Sequence, residues 1–116
     1  MTLVAVIDDD SGIRDSLKLL LELSGHEVAT FDSATAFLTD RAIRPACLIV
    51  DHQMPGMTGL ELARRLHSEG ANIPVLLLSG AVTLTLISNA AQFGIRTVLL
   101  KPSKLDDLLK FIDENC

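Results

Sequence analysis

The sequence predicts a doubly wound α/β fold, a five-stranded parallel sheet with helices on both faces in three layers. Two observations predict it. Five short apolar runs alternate along the chain with five stretches of helical periodicity, the pattern of a parallel sheet built from strand–helix–strand units. Runs such as Leu3–Ile7 and Val75–Leu78 are apolar at consecutive positions, which suits central strands covered on both faces. Right-handed crossovers then leave an open doubly wound sheet as the leading topology.

Taken in order, Leu3 to Ile7 is the first strand, closed by three aspartates. From Ile13 to Leu23 the pattern is helical, with Ile13, Leu17, Leu20 and Leu21 on one face and Gly25 placed to end the helix. Glu27 to Phe31 is the second strand, and Asp32 or Ser33 caps a short helix through about Asp40. Pro45 precedes the third strand, Ala46 to Val50, which ends in Asp51. Pro55, Gly56 and Gly59 mark a loop, and Thr58 with Glu61 forms a capping box that opens a helix bearing Leu62 and Leu66. Pro74 precedes the fourth strand, Val75 to Leu78. A helix over roughly 82–93 follows, ended by Gly94. Thr97 to Leu100 is the fifth strand. Ser103 with Asp106 reads as a second capping box, opening a helix striped by Leu105, Leu108, Leu109 and Ile112.

Composition narrows the classes. The 116 residues fit one domain, spanning 1–116, and 48% of them are hydrophobic, enough for a substantial core. That core must be aliphatic, because the chain has four Phe, no Tyr and no Trp. A formal charge of −5 without a basic cluster argues against nucleic-acid binding by this domain. No apolar run reaches membrane-spanning length and nothing resembles a signal peptide, so a cytoplasmic protein is expected. Cys47 and Cys116 have no metal-ligand spacing, and Cys47, inside an apolar run, reads as a buried free thiol in a reducing compartment.

Ligands of an open parallel sheet bind at the carboxyl ends of its strands. Strand one ends in Asp8, Asp9 and Asp10, strand three in Asp51, strand four in Ser79-Gly80 and strand five in Lys101-Pro102. The chain's chemistry therefore converges on one edge. Gathered carboxylates repel one another unless a cation sits among them. Oxygen ligands alone suit Mg2+, or Mn2+ in its place. A metal with an ammonium can hold a transferring phosphoryl group, and one carboxylate can take it as an acyl phosphate. Taken singly, each residue has a plainer reading. Asp10 is an N-cap, Ser79 a turn residue, Lys101-Pro102 a surface turn and His52 a passive loop residue that could also line the site. The convergence of four different strand ends favours chemistry.

These residues match a known pattern. Ile7-Asp8-Asp9-Asp10, then Asp51-His52-Gln53-Met54-Pro55 with Gly59, then Ser79-Gly80, then Lys101-Pro102 resembles the receiver domain of two-component response regulators, from about Leu3 to the end of the chain. The resemblance implies a flavodoxin-like strand order of 2-1-3-4-5. It implies that Asp51 is the phosphoacceptor, and that Asp9, Asp51 and the backbone carbonyl of Gln53 bind Mg2+ while Asp8 holds it mainly through water. Lys101 would bind phosphoryl oxygens and Ser79 would fill the switch position. The implied phosphoryl donor is a phosphohistidine on a sensor histidine kinase or phosphotransfer protein, or a small molecule such as acetyl phosphate. Beyond transfer onto Asp51 and autodephosphorylation, no enzyme activity is implied. In a longer regulator a DNA-binding effector is the commonest companion.

Two features depart from or add to that pattern. The family's aromatic switch residue, three positions before the Lys, is here Val98. This motivates the alternative of a phosphorylation-independent interaction module. A stretch without charge runs from Gly70 to Ile95, and the helix 4–strand 5–helix 5 face, a common output surface in the family, would pack on a partner or form a homodimer. The plainer account is a buried strand plus a helix with a Ser/Thr/Asn/Gln outer face. A phosphohydrolase with an aspartate nucleophile is disfavoured, because Gln53 stands where such enzymes carry a second acid and no cap segment is present.

Overall fold

The computed structural model describes residues 3–40 and 42–116. Its elements are β1 (Leu3–Ile7), α1 (Ser11–Leu23), β2 (Glu27–Phe31), α2 (Ala34–Thr39), β3 (Cys47–Asp51), α3 (Gly59–Ser68), β4 (Val75–Ser79), α4 (Leu84–Gln92), β5 (Thr97–Leu100) and α5 (Leu105–Asn115). All neighbouring strands pair parallel, in the order β2-β1-β3-β4-β5, as expected.

The sheet divides the core in two. Successive strand side chains point to opposite faces. On one face Ala5, Ile7, Leu48, Val50 and Leu77 meet Phe37, Leu62, Leu66, Leu86 and Ala90. On the other, Val4, Val6, Ile49, Leu76 and Leu78 meet Leu17, Leu21, Leu108, Phe111 and Ile112. The register aligns the chemistry: Ile7 lies opposite Val50, Asp51 opposite Leu78, and Ser79 opposite Leu100. Asp51 and Ser79 are thus the last residues of their strands rather than the first of their loops. Among the described residues no helix is long and apolar enough to cross a membrane.

Several boundaries and contacts differ from the sequence reading. The first helix starts at Ser11, because the Asp10 side chain accepts the Ile13 N–H at 3.1 Å and caps it there. Leu20 is 39% exposed, rotated off the face that buries Leu17 and Leu21. α4 starts at Leu84, where the Thr83 hydroxyl accepts from the Leu86 N–H. Its outer face is not purely polar, since Leu84 and Ile87 are exposed. The capping box at Ser103 does not form. The N-cap of α5 is Lys104, whose side chain makes no cap hydrogen bond. Asp106 and Asp107 instead fall in the first turn, where the helix dipole favours acids. Cys47 is not a free thiol: a disulfide joins it to Cys116, with the Cα atoms 5.8 Å apart. The fold brings the C-terminal end of α5 beside the start of β3, across a separation of 69 residues that hides the proximity in the sequence.

Candidate functional site

Among the described residues the buried polar side chains are Asp8, Asp51 and Ser79, and all three lie at the carboxyl edge of the sheet. Burial of a charge is costly unless it is paired or coordinated, so their clustering marks that edge as a built site. Parallel register delivers Asp8 just beyond β1, Asp51 on β3, Ser79 on β4 and Lys101 just beyond β5.

Lys101 Nζ lies 2.8 Å from Asp51 Oδ1 and 3.6 Å from Asp8 Oδ2. The Asp51 carboxylate also accepts the Gln53 backbone N–H at 3.2 Å. Asp8 Oδ1 accepts the Asp10 N–H at 2.9 Å, and Arg14 Nη1 donates to the Asp8 carbonyl at 2.7 Å, tying α1 to the site. The Lys101–Pro102 peptide is cis. Burial pushes the Asp8 carboxyl above its ordinary range, with repulsion from Asp51 and Asp9 adding to it against the Asp10 N–H and Lys101. Burial also disfavours the Lys101 ammonium, but its hydrogen bond to Asp51 and the attraction of Asp8 and Asp51 outweigh that and raise its pKa.

Three carboxylates against one ammonium leave two negative charges uncompensated. Carboxylate oxygens of Asp8, Asp9 and Asp51 lie within 4.8 Å of one another, with Asp9 on the solvent side. Among the described residues Asp8 Oδ2 has no hydrogen-bond partner though buried, and it faces the Lys101 charge at 3.6 Å. An all-oxygen set with excess charge and an orphaned buried oxygen fits a hard divalent cation.

Ser79 is turned into its own loop. Its hydroxyl donates to the Ala81 carbonyl at 2.7 Å and accepts the Ala81 N–H at 3.2 Å. Gln53 reaches across from the loop after β3, its Oε1 accepting the Gly80 N–H at 2.9 Å. Gly59 lets α3 start against the end of β3, since a Cβ there would stand 2.6 Å from the Asp51 carbonyl and 2.7 Å from Leu77 Cδ1. Val98 lies beside a hollow of about 460 Å³ lined also by Ile87, Ala91, Gly94 and Ile95, between α4 and β5.

The structure thus gathers Asp8, Asp9, Asp51 and Lys101, with Ser79 and Gln53 on the same rim. Asp10 serves as an N-cap. His52 donates its backbone N–H to the Leu78 carbonyl, and its buried Nδ1 has no hydrogen-bond partner among the described residues. Sequence reasoning missed Arg14 and the Gln53 carboxamide. For Arg14 a signal existed, since the first turn of a helix following a strand-end acid lies over the sheet edge. For the Gln53 carboxamide there was none, because its reach depends on how two loops fold.

The profile of the response regulator receiver domain family matches residues 4–113. The transcriptional regulatory protein FixJ of Bradyrhizobium diazoefficiens is 36% identical over 111 residues, covering 95% of this chain and 54% of FixJ. The C4-dicarboxylate transport transcriptional regulatory protein DctD of Pseudomonas aeruginosa is 38% identical over 109 residues, covering 93% of this chain and 24% of DctD. The chain therefore spans about half the length of FixJ and about a quarter of DctD. Among solved structures, the chemotaxis protein CheY4 of Vibrio cholerae superposes with a TM-score of 0.90 at 26% identity, covering 100% of this chain and 99% of that one. Full-length FixJ from B. japonicum gives 0.88 at 35% identity, covering 98% of this chain and 57% of that one. With fold, acidic rim and sequence in agreement, the chain belongs to the response regulator receiver domains, the signalling modules of two-component systems.

Proposed function

We propose that the domain accepts a phosphoryl group on Asp51 from a phosphohistidine of a sensor histidine kinase or phosphotransfer protein. One observation carries the reading: Asp51 is buried at the sheet edge with an ammonium at 2.8 Å and two further carboxylates within 4.8 Å. An Asp51 oxygen attacks phosphorus, the P–N bond to histidine breaks, and the imidazole leaves with the electron pair. Lys101 neutralises the phosphoryl oxygens as the Asp51 carboxylate loses its own charge. Asp9, Asp51 and the Gln53 carbonyl would hold Mg2+, or Mn2+ in its place, with Asp8 acting mainly through water. When bound, the ion supplies charge neutralisation for the transferring group. Hydrolysis of the acyl phosphate on the same rim returns the domain to rest. Apart from these self-directed steps the domain is a signalling module and not an enzyme that turns over a substrate.

Ser79 is the proposed switch. To reach a phosphoryl oxygen its hydroxyl must leave the Ala81 carbonyl, which moves the β4–α4 loop. Val98 has no ring to follow that movement, so the signal passes to α4 through the loop itself. Leu84, Ile87 and Leu100 are exposed on α4 and β5, which supports a second copy or a partner on the α4–β5–α5 face.

The test is incubation with acetyl phosphate and Mg2+, read by intact mass. One phosphoryl adduct is expected on the wild type and none on Asp51→Asn. A wild type that gains no mass sinks the reading and leaves the phosphorylation-independent module. Sedimentation with and without a phosphate mimic tests the second copy, and a monomer under both conditions at high concentration removes it.

A further inference from the structure

We propose that Cys116 and Cys47 form a thiol–disulfide exchange site, with exposed Cys116 as the entry thiol and buried Cys47 as the resolving thiol. The occupant is a small disulfide of the oxidised-glutathione class. The site lies at the far end of β3 from Asp51, so it stands or falls independently of the phosphoryl reading.

Accessibility sets the order of events. Cys47 is 0% exposed, walled by strands and helix on the α5 side of the sheet. Seated among the strands and α5, Cys47 is the less accessible of the two sulfurs to a peptide-sized disulfide. Cys116 is exposed at the C-terminal end of α5. The Cα separation of 5.8 Å lies within the range a disulfide spans without backbone movement. Exchange therefore runs in two steps. The Cys116 thiolate attacks one sulfur of the small disulfide and expels one thiolate, leaving a mixed disulfide on Cys116. Cys47 then loses its proton, its sulfur attacks the Cys116 sulfur, and the second thiolate leaves. The net change is two protein thiols and one small disulfide becoming one protein disulfide and two small thiols, with electrons balanced.

The structural consequence falls on α5. Its last turn holds to the sheet through Phe111 and Ile112, and the Cys116 N–H donates to the Ile112 carbonyl at 2.8 Å. Asp113, Glu114 and Asn115 are exposed. Without the link only the packing of Phe111 and Ile112 and the Cys116 hydrogen bond hold that turn, so its amides open more readily. With it, the end of α5 is fixed to β3, the strand that ends in Asp51.

The test starts from reduced protein in buffers of graded glutathione redox ratio, quenched by alkylation and read by intact mass. Wild type is expected to lose two hydrogens without accumulating a glutathione adduct. Cys47→Ala, which keeps the buried site small and apolar, is expected to accumulate one adduct. Cys116→Ser is expected to show neither change. Amide exchange over residues 111–116 should be at least about fivefold slower in the oxidised protein. A wild type that stops at the mixed disulfide overturns the proposal. So does equal exchange in the two redox states.

Discussion

At Asp51 the proposed phosphoacceptor role and stability pull in opposite directions. The carboxylate shares one ammonium with Asp8, and Asp9 adds charge from the solvent side. Replacing Asp51 by Asn keeps the shape and removes one buried charge, while Lys101 retains Asp8. In metal-free buffer Asp51→Asn is therefore expected to be more stable than wild type, by about 1 kcal/mol in urea unfolding. Added Mg2+ should narrow or reverse the difference, because a cation that binds only the folded wild type stabilises it by mass action. A variant less stable than wild type without metal would show that the rim is already electrostatically balanced. The principal residues of this rim were legible in the sequence for one physical reason. A parallel sheet puts the carboxyl ends of all its strands on one edge, so Asp8, Asp51, Ser79 and Lys101 had to meet once the strands were found. Loop side chains carry no such rule. The Gln53 carboxamide on the Gly80 N–H arises from the conformation of two loops, which no periodicity encodes.

The helices show how far local chemistry decides an element. α3 opens on the predicted box: Thr58 Oγ1 accepts the Glu61 N–H at 3.1 Å and Glu61 Oε1 accepts the Thr58 N–H at 3.0 Å. Thr58→Ala should cost about 1 kcal/mol. The backbone and side-chain hydrogen bonds from Thr58 lower the Glu61 pKa. A carboxyl lowered on folding stabilises the fold above its unfolded pKa, here ordinarily 4.5, and loses that contribution as pH falls through the lower folded value. The pH dependence of stability below 4.5 should therefore be shallower in Glu61→Gln than in wild type. Equal slopes would remove the box from the energetics. α5 is the counterexample. Ser103 and Asp106 carry the right residue types, yet the helix starts one residue later and its N-cap, Lys104, offers no acceptor. Lys104→Ser supplies one at an exposed position and should add about 1 kcal/mol. The sequence pointed to a start at Ser103, whereas α5 begins at Leu105 with Leu108, Phe111 and Ile112 packed on the sheet.

On the scale of the whole molecule, the layers were readable because alternation and handedness leave few ways to wind a parallel sheet, while the strand order followed from the resemblance to the receiver family. The Cys47–Cys116 pairing was not, because a gap of 69 residues says nothing about distance in space until the sheet has formed. The same sheet separates two apolar cores, one holding Leu62 from α3 and the other Ile112 from α5. Each side chain is nearly inaccessible, so Leu62→Ala and Ile112→Ala should each cost about 2–5 kcal/mol through lost transfer energy and residual cavity. Against a typical domain stability of about 5–15 kcal/mol, either variant should remain folded in dilute buffer. The two sites share no partners, with the full thickness of the sheet between them. Their costs should therefore add within about 0.5 kcal/mol in a double-mutant cycle read by urea unfolding. A coupling energy well above that would mean that the strands shift to accommodate a cavity on one face and carry the displacement to the other. The sheet would then transmit a change in packing on the α3 side to α5.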